Sequence, residues 1–538
     1  MNETHEQLNI YSNVALSQNI SSNYIFIQAF AGSGKTTTIL NCIKSKNMCS
    51  KKILYLSFNQ QNLQGFQNDD GNCTFSTIHA IAYNKLFSDK DVQVSNLTIS
   101  FIQNLYNVEH IYANTILNAY NFFLASTSNK PKLKHIIQTD SNGLRNLKDV
   151  LFYVNDLWLK MNDDSIPICH DFYLKKFMYL NVSLDFDYIF IDECQDITPC
   201  IMKILYKQNS KKIFVGDIFQ QIYTFRNVLN PFILDLEREI HLPLSKSFRF
   251  GPDIANLCNL FLTTFSPKLF LNHKIFPNDD IISNIFHYNH TFKEPYTFIA
   301  RTNKELILKA FELSNQKKTF TFIGKTYDFD KEIKIFDEIK RKNFNSIKKY
   351  KDVINISHAK DFFKEIQNYK WISRLELIEE FEINIWIHIK EFFSNISPFV
   401  NLITAHQSKG LEFDNVMLAN DFKNLVALNT LTFNNYYKND EYNLIYVSIT
   451  RTKKNLILNK SLTNFLVVYN NFNISNLNDL DLHSTCNFCG SNTLNFIKQS
   501  IYGCPDFVKP NLYLKFNSCL DCVNIYSNMF INNFKFHR

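Results

Sequence analysis

Short apolar runs recur along the chain, and each ends in small, polar or acidic residues. Runs of this length, rich in Ile, Phe and Val, are typical of strands that are buried on both faces of a parallel sheet. In the first half of the chain they lie at residues 24–29, 53–58, 187–192 and 211–216. Helical stretches separate them, so the pattern predicts an α/β sheet. Ligands of such sheets gather at the carboxyl ends of the strands.

Similar runs in the second half predict a second α/β unit. "YTFIA" lies at 296–300, "NLIT" begins at residue 401, and "NVMLAND" lies at 415–421. The intervening stretch 330–395 is charged and aperiodic, which favours an inserted helical region over core. The predicted domains are 1–240, with a helical insertion at about 85–180; 241–475, with an insertion at about 330–395; and a tail at 476–538.

Composition agrees with several soluble domains. At 538 residues, with 45% apolar and 20% charged residues, the chain is too long for one core and too apolar for disorder. The formal charge of +7 is compatible with a polyanionic partner without requiring one. The sequence shows no signal peptide and no membrane-length apolar run. We therefore expect an intracellular protein without a membrane partner, and nucleus and cytoplasm both stay open.

The first candidate functional site is the segment "AFAGSGKTTTIL", which follows the apolar run "YIFIQ". A strand, a glycine-containing turn and a helix opening at Lys35 and Thr36 form the phosphate-binding arrangement called a P-loop. Turn amides then hold the β-phosphate, Lys35 reaches the β- and γ-phosphates, and Thr36 offers its hydroxyl to Mg²⁺. The alternative is an ordinary turn between a strand and a helix. The other predicted nucleotide-binding residues here are Ala31, Gly32, Ser33, Gly34 and Thr37.

Acidic and basic residues complete this candidate site. The run "YIFID" ends in Asp192 and Glu193, which suit Mg²⁺ coordination and the positioning of water, respectively. Arg249 and Arg451 lie in otherwise apolar or small segments and are candidates for stabilising charge on a γ-phosphate. The alternatives are a solvated strand end and ordinary surface arginines. Composition and spacing alone predict a Mg²⁺-dependent P-loop nucleotide hydrolase with a second α/β unit.

The motifs also occur in one informative order, over about residues 4 to 460. They are "AFAGSGKTTT", "LYLSFNQQ", "TFSTIHAIAY", "PICHDFYLK", "FIDECQD", "VGDIFQQIYTFRN", "LSKSFR", "ARTN", "ITAHQSKGLEFDNV" and "EYNLIYVSITRTKK". This order resembles that of the UvrD-like superfamily 1 helicases, and within them the F-box DNA helicase type, although no F-box is present here. The resemblance implies two RecA-like P-loop lobes with parallel sheets and helical insertions, the second insertion being reduced.

The resemblance also assigns roles in ATP binding. Gln220 would sense the γ-phosphate, Phe248 would stack on adenine, Glu412 would bond the ribose, and Gln7 in "THEQLNI" would contact the adenine edge. Arg249 and Arg451 would be the cations that the second lobe contributes when the lobes close. The implied partner is single-stranded DNA or a junction with duplex DNA. Its contact residues would be Phe58, Asn59, Thr77, His79, Phe225, Arg226, Thr404 and His406. Each of these also has an ordinary structural alternative.

The function that the resemblance implies is an ATP-dependent DNA helicase or translocase of 3′-to-5′ polarity, acting in replication, recombination or repair. Two alternatives share its ATP-binding residues. One is an ATPase that is stimulated by single-stranded DNA and removes proteins from it without unwinding duplex. The other is an RNA-directed motor of the same superfamily. The sequence does not decide among them.

The tail contains two C-x₂-C pairs, Cys486 with Cys489 and Cys519 with Cys522. Four thiolates in this arrangement suit a structural, tetrahedral Zn²⁺, and they predict a small zinc-ribbon-like module. Cys504 is an alternative ligand, and four free thiols are the simplest alternative to a metal site. Such a module would help to hold DNA or a replication or repair protein.

Overall fold

The structure is a computed structural model of the chain, and it divides into two compact units. The first comprises Met1–Phe30, Gly34–Leu244 and Glu338–Glu376, and the second comprises Ala31–Ser33, Ser245–Asp337 and Leu377–Arg538. The residues that the structure describes are 3–16, 23–58, 72–88, 92–138, 146–180, 182–234, 239–270, 273–324, 328–348, 355–365, 368–423, 425, 435–469, 474–475, 496–502, 514–519 and 535–537.

Helices make up much of both units. In chain order they are α1 (His5–Leu16), α2 (Lys35–Lys44), α3 (Ile78–Phe87), α4 (Ile99–Tyr106), α5 (His110–Ala125), α6 (Leu133–Ile137), α7 (Leu147–Asn162), α8 (His170–Tyr179), α9 (Pro199–Tyr206), α10 (Pro252–Phe265), α11 (Pro267–Phe270), α12 (Asn303–Asn315), α13 (Phe329–Lys340), α14 (Asn345–Lys348), α15 (Ile356–Glu365), α16 (Tyr369–Glu380), α17 (Ile383–Phe392), α18 (Ala405–Ser408), α19 (Asn435–Ile449) and α20 (Lys460–Tyr469). No helix in the described ranges is both long and apolar enough to cross a membrane.

A six-stranded sheet organises the first unit. Its strands are β1 (Tyr24–Ala29), β2 (Ile53–Leu56), β3 (Cys73–Ser76), β4 (Tyr188–Ile191), β5 (Lys211–Gly216) and β6 (Glu239–Leu244). They lie in the order β3-β2-β4-β5-β1-β6, and every pair is parallel. Because β4, β5 and β1 are neighbours and point the same way, the loops that follow them emerge at one edge of the sheet.

Both faces of this sheet are covered by helices. On β1, Ile25 and Ile27 pack in the same apolar cluster as Ile10 of α1 and Ile39 of α2. Phe26 points to the opposite face and joins a larger cluster with residues of α3, α5, α7 and α8. Successive strand residues face opposite sides, so a continuous apolar run such as "YIFIQA" is what a strand covered on both faces needs.

A seven-stranded parallel sheet organises the second unit. Its strands are β7 (Asn284–Phe286), β8 (Tyr296–Ala300), β9 (Phe320–Phe322), β10 (Val400–Thr404), β11 (Phe413–Leu418), β12 (Thr452–Ile457) and β13 (Ile474–Ser475). They lie in the order β13-β7-β12-β11-β8-β10-β9. In the register of this sheet, Leu402 of β10 pairs with Phe298 of β8, and Val416 of β11 pairs with Thr297 of β8. The segment 330–395 contributes helices, as predicted, and its part Glu338–Glu376 belongs to the first compact unit.

The tail contains a third, antiparallel sheet of β14 (Phe496–Tyr502), β15 (Leu514–Cys519) and β16 (Lys535–His537). In it β14 pairs with both β15 and β16. Cys519 ends β15 opposite Phe496. The other three predicted zinc ligands, Cys486, Cys489 and Cys522, lie outside the described residues, as does Cys504. The zinc-ribbon-like module therefore stays a prediction.

The mixed α/β architecture with parallel sheets is confirmed, and each predicted apolar run forms a strand. Strand β6 was not predicted, and it extends the first unit beyond residue 240 to Leu244. It is an edge strand that pairs in register with β1, from Tyr24 opposite Glu239 to Ala29 opposite Leu244. Its sequence "EIHLPL" is half-polar and contains Pro243, which an edge tolerates because one side of the strand needs no N–H donors.

Candidate functional site

The turn after β1 has the backbone that phosphate binding needs. Gly32 and Gly34 have φ angles of 73° and 76°, in the left-handed region that glycine adopts without steric cost. Helix α2 then begins at Lys35 without a side-chain cap, so its first N–H groups are not used by a capping side chain. The Ser33 hydroxyl is buried and has no hydrogen-bond partner among the described residues. A turn with these features is a ready anion site. Ala31 is buried beside it, and Thr37 is exposed on α2.

Lys35 lies among three carboxylates at the carboxyl edge of the first sheet. Its Nζ is 2.8 Å from Oε1 of Glu193, and both side chains are mostly buried. Burial alone lowers the pKa of Lys35, but the charges of Glu193, Asp192 and Asp217 raise it above its ordinary value. Lys35 is therefore fully charged near neutral pH. The fold brings together the predicted lysine and both predicted acids, and it adds Asp217, which the sequence did not indicate.

Asp192 follows β4 and is held by its neighbours. The hydroxyl of Tyr55, on the adjacent strand β2, donates to Asp192 Oδ2 at 2.6 Å, and the Glu193 N–H donates to Oδ1 at 2.9 Å. Burial and the charge of Glu193 raise the pKa of Asp192 above its ordinary value, whereas Lys35 acts to lower it. A buried carboxyl of this kind gains from a cation beside it, because a cation favours the ionised form.

Glu193 has an unusual backbone. Its φ of 51° is in the left-handed region, which costs a non-glycine residue about 1 kcal/mol or more. Gln195 fixes its side chain by donating from Nε2 to Glu193 Oε2. The Gln195 Oε1 also accepts the Asp217 N–H at 3.2 Å. A Cβ on Gly216 would lie only 2.3 Å from this oxygen, so glycine is required there.

Gln220 lies on the loop after β5, close to Asp217. Its Nε2 donates to Asp217 Oδ2 at 2.8 Å, while Oδ1 of the same carboxylate accepts the Phe219 N–H and the Gln28 amide, each at 3.1 Å. Burial raises the pKa of Asp217, and Lys35 and these hydrogen bonds partly oppose that rise. Asp217 thus positions Gln220, the residue predicted to sense the γ-phosphate, on the same edge as Lys35.

These residues fit a magnesium nucleotide. Mg²⁺ prefers oxygen ligands and is usually held by one or two carboxylates, with substrate phosphates and water completing its shell. Thr36 at the start of α2 and Asp192 after β4 supply a hydroxyl and a carboxylate of this kind. Burial raises the pKa of Asp192 and of Asp217, and a divalent cation beside them would favour their ionised forms. The left-handed glycines and the partnerless Ser33 hydroxyl match the phosphate end.

Gln7 lies at the start of α1 in a capping box. Its N–H donates to the Thr4 hydroxyl at 3.2 Å, and its Oε1 accepts the Thr4 N–H at 2.9 Å. Its Nε2 donates to the Thr38 hydroxyl on α2 at 2.9 Å. The side chain predicted to contact adenine is therefore buried and tied to the helix that begins at the phosphate turn.

Both predicted cations of the second unit have partners within that unit. The Arg249 guanidinium donates to Glu412 Oε2 at 2.8 Å and to the Thr450 carbonyl at 2.7 Å. Phe248 beside it is half-buried. Arg451 is only 1% exposed and donates to the carbonyls of Val447 at 2.9 Å and Leu411 at 3.0 Å. Arg249 is thus paired with the carboxylate predicted to bond the ribose, and Arg451 supports the fold around β11 and α19.

Three of the predicted nucleic-acid contacts in the first unit, Phe58, Phe225 and Arg226, have exposed side chains. Phe225 is 71% exposed, and the Arg226 guanidinium lies 5.3 Å from the ring of Tyr223 and 5.9 Å from that of Phe225. An exposed ring beside a cation is suited to stacking with a base. The sequence did not single out Tyr223. Phe58 is exposed after β2, and Asn59 lies outside the described residues.

Thr77 and His79 lie at the start of α3. The Thr77 hydroxyl accepts the Ala80 N–H at 3.2 Å and so caps the helix. His79 Nε2 is 3.0 Å from Asp171 Oδ1. The Asp171 side chain is exposed. Desolvation by neighbouring groups acts to raise its pKa, but the hydrogen bond to His79 and the charges of His79, Arg226 and His170 lower it more, so the net shift is downward. Asp171 links His79 electrostatically to Arg226.

Thr404 and His406 lie where β10 ends and α18 begins. The Thr404 hydroxyl donates to Gln407 Oε1 at 2.9 Å. Burial, helped by Arg301, lowers the pKa of His406 to about 4, so its ring is neutral near pH 7. Arg301 itself forms an ion pair at 2.8 Å with the buried Glu441. A neutral ring here can contact a sugar or base but adds no charge for a phosphate.

No group of three or more His, Cys, Asp or Glu side chains in the described part of the chain is arranged to hold a metal ion. This finding leaves the Thr36 and Asp192 pair unaffected, because one carboxylate and one hydroxyl are enough when substrate phosphates supply the remaining ligands. It does not bear on the zinc prediction, since three of its four cysteines lie outside those ranges.

Comparisons with known proteins agree with this geometry. Residues 12–226 match the model of an AAA domain, and residues 172–463 match that of the UvrD-like helicase C-terminal domain. The chain is 29% identical over 504 residues to "F-box DNA helicase protein 1" of Schizosaccharomyces pombe, covering 81% of this chain and 55% of that protein. It is 26% identical over 520 residues to "F-box DNA helicase 1" of Gallus gallus, covering 86% and 50%, respectively.

The chain thus spans about half the length of the curated relatives it matches. A solved structure titled "The structure of PRRSV helicase" covers 83% of this chain and 54% of that one at 11% identity, with a TM-score of 0.28 that is too low to support an argument. The UvrD-like helicase model by contrast matches more than half of the residues, and the motifs it spans include the acids after β4 and the residues around Arg249 and Arg451. The chain belongs to the UvrD-like helicase family.

Proposed function

We propose that the protein is an ATP-dependent DNA helicase or translocase built on two RecA-like lobes. One observation carries the proposal: Lys35 lies 2.8 Å from Glu193, beside Asp192 and Asp217, directly after a turn with two left-handed glycines. This is the set of groups that binds and hydrolyses a nucleoside triphosphate in P-loop enzymes. Family membership and the names of the two relatives support DNA as the polymer on which the protein acts.

In this proposal each residue of the site has one task. Turn N–H groups and Lys35 bind the phosphates, and Thr36 with Asp192 would hold Mg²⁺, which neutralises charge on the phosphate oxygens when bound. Lys35 leaves Glu193 when it turns to the phosphates, so the Glu193 carboxylate becomes available to orient the attacking water. Gln220, held by Asp217, adds a hydrogen bond near the γ-phosphate.

The second unit supplies the remaining proposed groups. Arg249 and Arg451 stabilise the charge that develops on the transferred phosphoryl group. For Arg451 this requires that its buried guanidinium leave the Val447 and Leu411 carbonyls. For Arg249 this requires an exchange of partner, because its guanidinium is paired with Glu412 in the structure. Glu412 is the residue proposed to bond the ribose, so a bound nucleotide offers new partners to both members of this ion pair. Phe248 is proposed to stack on the base.

Single-stranded DNA is the proposed substrate along which the protein moves. The exposed Phe225 and Arg226 are proposed as its main contacts on the first unit. Translocation from 3′ to 5′, and action in replication, recombination or repair, rest on the family resemblance. The tail is proposed to bind Zn²⁺ through Cys486, Cys489, Cys519 and Cys522 and to contact DNA or a partner protein. An ATPase that removes proteins without unwinding DNA, or an RNA-directed motor, would use the same ATP-binding residues.

Strand displacement tests the proposal directly. Labelled duplexes with a 3′ tail, a 5′ tail or an RNA tail are incubated with the protein and ATP, and a parallel reaction measures displacement of streptavidin from biotinylated single strands. We expect ATP-dependent unwinding of the 3′-tailed DNA duplex alone. Protein displacement without unwinding would support the remodelling ATPase, and unwinding confined to RNA-tailed duplexes would support the RNA motor.

A further inference from the structure

Asp171 lies beside two of the residues predicted to contact DNA. Its Oδ1 is 3.0 Å from Nε2 of His79. The charges of His79 and Arg226 both act on its carboxylate. All three residues belong to the first compact unit. The proposed function leaves Asp171 without a task, although it places an anion where a DNA-binding surface needs cations.

Two packed helices bring Asp171 and His79 together. Asp171 is in the first turn of α8, and His79 is in the first turn of α3, which packs against α8. An acidic side chain in a first turn interacts favourably with the helix dipole, so α8 accommodates this charge. The side chains of Asp171 and His79 are 58% and 34% exposed, respectively. Both can therefore be reached by a ligand from solvent.

The Asp171 carboxylate engages a donor that a DNA phosphate would also use. Its hydrogen bond with His79 and the nearby charges lower its pKa, so it is ionised near pH 7. An ionised carboxylate can only accept hydrogen bonds, so His79 Nε2 carries the donated proton. A DNA phosphate is likewise an anion that accepts hydrogen bonds from protein donors. Asp171 and a bound phosphate would therefore compete for His79.

Arg226 is affected through its charge. Its guanidinium lies 5.9 Å from the centroid of the exposed Phe225 ring and 5.3 Å from that of Tyr223. This places the cation at the surface where a strand would stack on Phe225. The charge of Asp171 interacts with Arg226 there and offsets part of its attraction for a phosphate.

We propose that Asp171 is an internal competitor of DNA phosphates, which weakens single-stranded DNA binding by pairing with His79 and by offsetting the charge of Arg226. The inference rests on the proposed function, because it takes single-stranded DNA as the ligand of these two cations. It adds a residue that sets the strength of that contact. A protein that moves along DNA must release each phosphate it binds, and a nearby carboxylate supplies the cations with a replacement partner.

Two rival explanations of Asp171 lead to different results. If Asp171 positions His79 for DNA, neutralising it would weaken DNA binding. If Asp171 is only one more surface charge, any change of an exposed acid to an amide on the first unit would strengthen binding equally. In that second case the effect would not depend on His79 or Arg226.

The test measures binding of a fluorescently labelled oligodeoxythymidine to the full-length, nucleotide-free protein by anisotropy. Asp171→Asn removes the charge but keeps an oxygen that can accept the His79 N–H. Asp171→Ser is a second neutral variant, in case the amide disturbs the fold. Asp149→Asn, at an exposed position in the first turn of α7, is the control. Thermal unfolding checks the fold of each variant.

We expect Asp171→Asn to lower the Kd about two- to fivefold, which is the range for an exposed ion pair. The slope of log Kd against log salt concentration should steepen by about 0.7 per cation released. Asp149→Asn should leave the Kd unchanged. The Asp171→Asn change is then repeated in a protein that carries His79→Gln and Arg226→Gln, at about 50 mM salt so that weak binding is measurable. There the gain in affinity should fall below about twofold, because the two cations that Asp171 engages are gone.

The outcomes separate this inference from the proposed function. Wild-type protein that binds no single-stranded DNA overturns both. Wild-type protein that binds single-stranded DNA without unwinding a duplex contradicts the helicase proposal alone, since the inference is measured by binding. Weaker or unchanged binding by folded Asp171→Asn and Asp171→Ser overturns the inference, as does an equal gain from Asp149→Asn or a gain that persists without His79 and Arg226. Tighter binding that requires those two cations supports it.

Discussion

At the residue scale, the candidate ATP site depends on Tyr55, a residue to which the sequence motifs assigned no role. Tyr55 lies on β2, and its buried hydroxyl donates at 2.6 Å to Asp192 on the neighbouring strand β4. Burial and the charge of Asp192 raise the pKa of this hydroxyl far above its ordinary value, so it stays a donor at all working pH values. Tyr55 therefore fixes the direction in which Asp192 presents its other oxygen.

We expect Tyr55→Phe to leave the protein folded but to weaken its use of Mg²⁺. The Asp192 carboxylate would lose one hydrogen bond and be less well oriented. Leaving a buried acceptor without its donor costs about 1–3 kcal/mol of interaction free energy. The concentration of Mg²⁺ for half-maximal ATP hydrolysis should rise severalfold. Steady-state hydrolysis over a Mg²⁺ titration measures this, with thermal unfolding as the check on the fold.

Tyr188→Phe is the matched control for this experiment. Tyr188 is buried on β4 of the same sheet, and its hydroxyl has no hydrogen-bond partner among the described residues. Its removal should leave the Mg²⁺ dependence unchanged. Equal Mg²⁺ titrations for Tyr55→Phe and Tyr188→Phe would show that the Asp192 contact has no part in metal use.

The sequence indicates the residues that follow strands better than those that support them. Asp192 and Glu193 stand directly after the strand β4, and Lys35 and Gln220 follow the turns after β1 and β5. The structure brings all four to one edge of the sheet. Tyr55 was not indicated because its role depends on β2 and β4 being neighbours, although Tyr55 and Asp192 are 137 positions apart in the chain. Only the strand order makes such a contact visible.

At the scale of the element, a buried lysine of α8, Lys175, contacts the C-terminal end of helix α5. The Lys175 Nζ donates to the carbonyls of Phe123, at 3.0 Å, and Ser126. The Nζ also lies 4.6 Å from the centroid of the Phe123 ring. The last carbonyls of a helix have no partner within it, so this lysine takes the place of a C-terminal cap. Burial lowers its pKa to about 8.

Lys175→Met should destabilise the protein by about 1–3 kcal/mol, because it removes the lysine donor to the Ser126 carbonyl. The Phe123 carbonyl keeps the Ser126 N–H and hydroxyl as donors. Lys148→Met, at an exposed position on α7, is the control and should change stability little. Denaturant unfolding of both variants and the wild-type protein gives the comparison. Equal stability of the two variants would contradict the capping role.

The same variants carry a pH prediction. The pKa of Lys175 is about 8 in the folded protein and 10.5 when unperturbed, so between these values the unfolded chain binds more protons. Stability from this group therefore rises with pH in that window. The stability difference between the wild-type protein and Lys175→Met should increase from pH 8 towards pH 10. A difference that does not change with pH would contradict the assigned pKa.

Apolar pattern alone predicted the central strands and missed those with polar or very short sequences. Strands buried on both faces, such as β1 and β5, are continuous apolar runs. The edge strand β3 has the sequence "CTFS", and β12 begins with "TKKN". These strands form because a neighbour supplies the hydrogen bonds and one face of the core. Their own sequences give no signal that predicts a strand.

At the scale of the whole molecule, the two units built on parallel sheets together carry the groups that the proposed ATP-driven helicase needs. The first unit carries Lys35, the acids and an exposed aromatic and cationic group, whereas residues Ala31–Ser33 of the phosphate turn belong to the second. The second carries Arg249, Glu412 and the β10 to α18 turn. The apolar pattern predicted both sheets, but not that Glu338–Glu376 would join the first unit, because contacts distant in the chain leave no local signal.

ATP hydrolysis with and without single-stranded DNA tests the central claim most directly. The rate is measured for the wild-type protein and for Lys35→Ala over a range of DNA concentrations. We predict strong stimulation by single-stranded DNA in the wild-type protein and loss of hydrolysis by about 10³-fold or more in Lys35→Ala, because the variant lacks the cation that binds the phosphates. Near-normal turnover in Lys35→Ala, or wild-type turnover indifferent to DNA, would contradict an ATP-driven DNA motor.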